Sequence, residues 1–185
     1  MKKQVLKSCI YKSKIKDHES VKKTILDFID RDDFNTENSY NDSISKFDYG
    51  NAFDYERPWV KYFAPFFNNA LNELLSEMGL QKMSQMQGMW YQQYEENSAH
   101  GWHIHGGHMT GVYYLEFPKG CPHTNFIHPL TGRFDNIKAQ EGDIVFFPSY
   151  IIHQAPLNKG PRKTIISYNF DLYDKIIDDS LVPVL

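Results

Sequence analysis

The 185-residue chain is poor in cysteine, with Cys9 and Cys121 its only two. Neither sits in a CxxC pair, which excludes a cysteine-built zinc or redox site. A domain of this length buries a core without a disulfide, so both are expected to be free thiols. Long apolar runs are also missing, and none approaches the ~18 residues of a membrane helix. The first residues, Met1-Lys2-Lys3-Gln4-Val5-Leu6-Lys7, start basic but lack the apolar stretch and cleavage site of a secretory signal. A cytoplasmic location is therefore expected. Neither sign of charge dominates, since 20 basic and 23 acidic residues leave a formal charge of -3. No basic-aromatic stripe promotes a nucleic-acid partner. Internal repeats and low-complexity tracts are absent.

What the chain does have is aromatic bulk, with 13 Phe, 12 Tyr and 3 Trp, which suits packed sheets. A hydrophobic fraction of 41% and a charged fraction of 23% describe a globular composition, and the length predicts one domain over 1–185. Residues 5–16 alternate as an initial strand, with Val5, Leu6, Cys9 and Ile10 as candidates for burial. Over 18–30 the period becomes helical, and Val21, Ile25, Phe28 and Ile29 share one stripe. Residues 31–55, rich in Asn, Asp and Ser, form a connection longer than is typical, expected to pack over the body or cover a site. A second helix is predicted over 59–78. Its apolar face runs through Phe63, Phe66, Phe67, Ala70, Leu71, Leu74, Leu75 and Met78, Pro65 should break or bend its early part, and Gly79 suits its C-terminal cap.

Beyond residue 80 the pattern becomes that of strands, at 83–94, 109–117, 144–147, 151–156 and 164–170, with another at 134–139. A short helix is expected around 173–177. Helices followed by strands predict a mainly β fold with flanking α-helices, an antiparallel barrel or sandwich. The helical and loop part spans 1–80 and the β core about 81–172.

The densest chemical signal is His100-Gly101-Trp102-His103-Ile104-His105-Gly106-Gly107-His108. In an extended segment residues two apart project to one side, so His103 and His105 can offer two imidazoles to one metal. Imidazole suits iron, zinc, nickel or copper. Surface or hydrogen-bonding histidines would produce the same pair, so the pair alone does not decide. His153 strengthens it, set in the apolar run Ile144 to Ile152. Arg162 follows nine residues later, after the turn Asn158-Lys159-Gly160-Pro161, and is placed to begin the adjoining antiparallel strand. Its guanidinium could clamp a carboxylate in the same cavity. Lys163 is expected on the opposite, solvent-facing side. Three neutral histidines leave a divalent ion uncompensated, and a dicarboxylate would offset its charge.

With these residues in hand, the sequence resembles the iron(II)- and 2-oxoglutarate-dependent dioxygenases, particularly their prolyl-hydroxylase-like branch. The resemblance rests on Tyr94, His103-Ile104-His105, Thr110-Gly111-Val112-Tyr113-Tyr114-Leu115, and Gly142-Asp143 through His153 to Arg162, spanning about residues 90–170. It implies a double-stranded β-helix, or jelly roll, also described as cupin-like. It implies Fe(II) on His103, His105 and His153, and 2-oxoglutarate as cosubstrate held by Arg162 and contacted by Tyr94. The reaction implied is hydroxylation of a peptidyl residue or a small molecule with dioxygen, releasing succinate and CO2. The usual pattern is His-x-Asp or His-x-Glu, and His105 departs from it. The His-x-His version resembles a less-characterised subgroup of oxygenases.

Two other readings stand beside this one: a cupin-like metal enzyme that does not use 2-oxoglutarate, and a metal-stabilised binding module without turnover. His100 and His108 are expected to orient substrate, support the site or face solvent. Trp90, Tyr91, Trp102 and Tyr113 either line the cavity or pack the core, and His123 and His128 belong to a connection.

Overall fold

The computed structural model describes residues 8–32, 38–39, 42–79 and 83–173. Among these, two helices and two antiparallel sheets form three layers. Strand β1 (Tyr11–Lys14) is followed by α1 (His18–Asp30), β2 (Lys46–Phe47) and α2 (Pro58–Glu77). Then come β3 (Met83–Tyr94), β4 (His100–His103), β5 (Met109–Glu116), β6 (Asn125–Ile127) and β7 (Phe134–Asn136). The chain closes with β8 (Asp143–Pro148), β9 (His153–Ala155) and β10 (Lys163–Tyr173). The six-stranded sheet has the order β1-β8-β5-β10-β3-β2, and the four-stranded sheet the order β4-β9-β6-β7. No helix among the described residues is long and apolar enough to cross a membrane.

Side-chain alternation on the large sheet builds two cores. Tyr91, Tyr113, Ile144, Phe146, Ile166, Tyr168 and Phe170 face the helices, where Val21, Ile25, Phe63 and Phe67 meet them. The alternate residues Tyr94, Val112, Tyr114, Val145, Phe147 and Ile165 turn to the small sheet and pack on Phe126 and Ala155. Both faces of β5, β8 and most of β10 are thus buried, and apolar residues fall at consecutive positions along them. At Gly111 a Cβ would stand 2.0 Å from Val145 O and 2.6 Å from the Tyr168 hydroxyl, so glycine lets that hydroxyl donate to Val145 O at 2.7 Å.

Helix α1 spans the predicted residues, and α2 lies one residue ahead of its predicted range. It runs unbroken through Pro65. The missing N–H costs one turn's hydrogen bond, while Phe63, Phe67, Ala70, Leu71 and Leu74 stay buried along one side. At the amino end the strand begins only at Tyr11, and Cys9 and Ile10 are exposed rather than buried. Val5, Leu6 and the helix expected around 173–177 lie outside the described residues, apart from Tyr173, which ends β10. Neither cysteine is paired.

The polar connection is not a free loop, because Lys46 and Phe47 pair with Gln93 and Gln92 and extend the large sheet. A buried ion pair pins the chain just beyond β2. Asp48, fully buried, receives the Arg57 guanidinium, the Trp59 indole N–H at 3.1 Å and the Tyr91 backbone N–H at 2.8 Å. Arg57 also donates to Met89 O at 2.6 Å, tying the start of α2 to β3. Burial pushes the Asp48 carboxyl up to about 6, against the pull of Arg57 and the hydrogen bonds. Asp48→Ala leaves that guanidinium without its counter-charge and should destabilise the protein by about 3–5 kcal/mol. Urea unfolding followed by circular dichroism measures it, and a change within ordinary surface-mutation scatter would refute the anchoring role.

Candidate metal centre

The three histidines singled out in the sequence come together at the edge of the small sheet. His103 ends β4 and His153 begins β9, and the two are paired directly across the strands. His105 lies two residues past β4, where its backbone N–H donates to Ser149 O at 3.1 Å and stops it swinging away. Ring centroids stand 4.3 Å apart for His103 and His153, 4.9 Å for His103 and His105, and 5.0 Å for His105 and His153. One ring nitrogen from each lies within 4.8 Å of the other two.

Hydrogen bonds fix which nitrogen faces inward. His103 Nδ1 lies 2.7 Å from Gly101 O, and His153 Nδ1 lies 2.8 Å from Ile151 O. A carbonyl only accepts, so each Nδ1 carries the proton and each Nε2 presents a lone pair. His105 Nε2 stands 3.2 Å from His153 Nε2, aimed at the same point. This is how a protein orients metal-ligating imidazoles through their second nitrogen. Burial pushes His105 down to about 2, helped by its histidine neighbours, and His153 down to about 3. His103 is lowered as well, burial outweighing its bond to Gly101. All three imidazoles are therefore neutral at pH 7, the form that binds a cation. No carboxylate among the described residues belongs to this group.

Two cavities meet at the triad. The outer one, about 410 Å³, is walled by Asp42, Ile44, Phe47, Tyr49, Trp90 and Ile104. The polar connection thus forms a wall of the mouth. The inner one, between the sheets, is lined by Gln92, Tyr94, Val112, Thr124, Ile165 and Ser167 and holds about 20 Å³, the room of roughly one water. At its depth the Tyr94 hydroxyl is buried with no hydrogen-bond partner. Burial raises its pKa, so it stays protonated and offers an unused donor.

Arg162 and Lys163 exchange the places expected of them. The Arg162 guanidinium turns to the helix side, where it donates to Glu116 at 2.9 and 3.3 Å and to Asp30 at 3.2 Å. Lys163, expected in solvent, is 1% exposed, its ammonium 4.7 Å from the Tyr94 ring and 3.3 Å from Pro122 O. Burial pushes that ammonium down to about 8, with Cys121 working the other way. Strand alternation explains the exchange. Lys163, Ile165 and Ser167 share the face toward the small sheet, whereas Arg162 shares its side with Thr164 and Ile166. Because β10 is buried on both faces, polarity along the sequence carried no sign of which side was inward.

His100 stacks on His103, with ring centroids 3.8 Å apart and 15° between the planes. His108 faces outward beside Asp171 and the backbone of Leu172, away from the triad. Trp90 lies at the mouth and Trp102 stacks on Phe134 at the surface, while Tyr91 and Tyr113 belong to the helix-side core. His123 and His128 join no metal-competent cluster among the described residues. A second such group, His18, Glu19 and Glu141, already has the Lys22 ammonium at 2.5 Å from Glu141.

Residues 88–171 match the family described as "Putative 2OG-Fe(II) oxygenase". No curated protein matches the sequence. Among solved structures, the viral collagen prolyl hydroxylase vCPH of Paramecium Bursaria Chlorella virus-1, a 2OG complex, superposes with a TM-score of 0.66 at 16% identity, over 87% of this chain and 94% of that one. A Pseudomonas putida prolyl-4-hydroxylase gives 0.62 at 12% identity, over 91% and 94%. The non-heme alpha ketoglutarate dependent epimerase SnoN from nogalamycin biosynthesis gives 0.69 at 11% identity, over 90% and 78%. At these identities the likeness to each is one of fold.

A divalent ion held by the triad should stabilise the folded state. Co(II) at roughly 100 times its Kd is expected to add about 2.7 kcal/mol to the wild type. His153→Ala should remove that gain, as read from unfolding curves with and without metal. An equal gain in both proteins would place the ion elsewhere.

Proposed function

We infer the function from one premise: the chain belongs to the 2OG-Fe(II) oxygenase superfamily, through a family match spanning residues 88–171. It is an Fe(II)- and 2-oxoglutarate-dependent oxygenase, hydroxylating a peptidyl residue or a small molecule, with succinate and CO2 as coproducts. The observation that carries this reading is the triad itself, two of its Nε2 lone pairs turned inward by backbone carbonyls. The two sheets are taken as the faces of a double-stranded β-helix, which the core shared between them supports. The two unpaired cysteines fit a reducing, cytoplasmic setting. Residues 1–80 and 81–172 are taken to work as one domain.

On this reading His103, His105 and His153 hold Fe(II). The bound ion, with dioxygen as the oxidant and 2-oxoglutarate as the electron-donating cosubstrate, would supply chemistry for which no side chain is suited. Lys163 takes over the role expected of Arg162, meeting the distal carboxylate of 2-oxoglutarate at the depth of the inner cavity. Tyr94 adds its unpartnered hydroxyl there. A buried ammonium without a carboxylate beside it is costly, and an anionic cosubstrate answers that cost. The inner cavity has room for about one water, so bringing a cosubstrate carboxylate to Lys163 would require the side chains around it to shift. Substrate enters by the outer cavity, whose walls include Phe47, Tyr49 and Trp90 and exclude water from the reacting bond. No lysine or arginine lines the outer cavity. The mouth therefore suits a neutral or cationic substrate better than an anionic one.

Anaerobic titration of the Fe(II)-loaded protein with 2-oxoglutarate, followed by optical absorption, tests the assignment. Lys163→Met should weaken cosubstrate binding by roughly 10–100-fold, the worth of a hydrogen bond to a charged group. Arg162→Met should leave it near wild type. The reverse ranking would restore Arg162 as the anchor, and iron binding without any charge-transfer band would favour the cupin-like alternative.

The same titration has a pH signature. Lys163 is protonated below about 8 and can meet a carboxylate directly; above it, binding must first recover a proton. Affinity should fall as pH rises through about 8 in the wild type. In Lys163→Arg the fall should vanish over the accessible range, because guanidinium keeps its charge. A wild-type affinity flat from pH 7 to 9.5 would count against Lys163.

A further inference from the structure

Imidazole ligands bring no negative charge to a divalent ion, and no carboxylate stands among the three. Asp42 is the only acidic side chain among the described residues lining the two cavities that share the triad. It comes from the polar connection, far from the histidines in sequence, and its carboxylate is only 12% exposed. One oxygen accepts the Gly101 N–H at 3.1 Å, and the other takes the Ser39 hydroxyl. An isolated β-bridge joins Asp42 to His100. The first oxygen stands 3.6 Å from His100 Nε2.

His100 is itself oriented from its other side. Ser167 Oγ donates to Gln92 Oε1 at 2.9 Å, which turns the Gln92 amide nitrogen toward His100 Nδ1 at 3.3 Å. An amide nitrogen only donates, so His100 Nδ1 accepts and its proton sits on Nε2, directed at Asp42. The ring so held lies flat on His103.

We propose that Asp42 and His100 are positioning residues of the metal centre. His100, held between Gln92 and Asp42, buttresses the His103 ring, and Asp42 supplies the negative charge that the three imidazoles lack. Neither touches the ion. His100 restricts the rotation of a ligand, and Asp42 lowers the cost of a +2 charge in a poorly solvated place. The proposal rests on the triad being the metal site.

Co(II) binding, followed by its visible absorption, gives a readout independent of turnover. Asp42→Asn keeps an oxygen for the Gly101 N–H and removes the charge, while the amide nitrogen in place of the other oxygen must donate to the Ser39 hydroxyl instead of accepting from it. It is expected to weaken Co(II) binding roughly 10–100-fold, the usual effect of losing a group behind the ligands. His100→Ala should weaken it in the same range and shift the Co(II) bands, and His100→Phe, which restores a flat ring against His103, should return the bands toward wild type. Unfolding curves of the metal-free variants confirm that the fold persists. Asp42→Asn or His100→Ala binding Co(II) as tightly as wild type, with unchanged bands, would overturn the proposal alone. Failure of the wild-type protein to bind Co(II) would overturn the metal reading and this proposal with it.

Discussion

Strand β10 is hydrogen-bonded along both edges, to β3 and to β5, and covered on both faces. A one-residue slip in such a strand exchanges every side chain between its two faces. Here it would send Ile166, Tyr168 and Phe170 out of the helix-side core and bring Arg162 inward in place of Lys163. The register is therefore held by many apolar contacts at once, and the placement of one buried ammonium comes with them. Gly111 and the Tyr168 hydroxyl lock the neighbouring strands against the same slip.

The buried Asp48–Arg57 pair connects this scaffold to the mouth. It holds the chain after β2 against β3, so that the preceding segment reaches Asp42 beside β4. An ion pair at that depth contributes little net stability against a well-packed apolar alternative. Its value lies in position, since Asp48 answers a backbone N–H of β3 and an indole of α2 at once. The polar connection thereby becomes a wall of the outer cavity.

Electrostatically the site is graded along its depth. At the mouth stands a carboxylate, Asp42; in the middle are three neutral imidazoles; beyond the cavity linings, against the ring of Tyr94, lies the ammonium of Lys163. Desolvation sets the protonation of the lower two layers, keeping the histidines neutral and weakening the lysine's hold on its proton. A cation between the imidazoles and a dicarboxylate reaching down to Lys163 would each meet the charge they lack.

The helices and the longer strands were legible because their signals are local. Apolar spacing along α1 and α2 and the β-rich runs at 83–94 and 109–116 need only neighbouring residues to be recognised. His103 and His105 were legible for the same reason, being two apart in an extended segment, and His153 stood out against the apolar run before it. Shorter elements were less clear. β9 is three residues long, and the start of β1 is set by pairing with β8 rather than by the hydrophobicity of Cys9 and Ile10. By itself, then, the sequence determined the two helices, the longer strands and the three histidines that stand together, but neither β2 nor β6. Only the tertiary structure decided that Lys163 faces inward and Arg162 outward, and that Asp42 stands beside His100. Strand parity has no sense until both faces are covered, and contacts between residues far apart in sequence leave no periodicity to read.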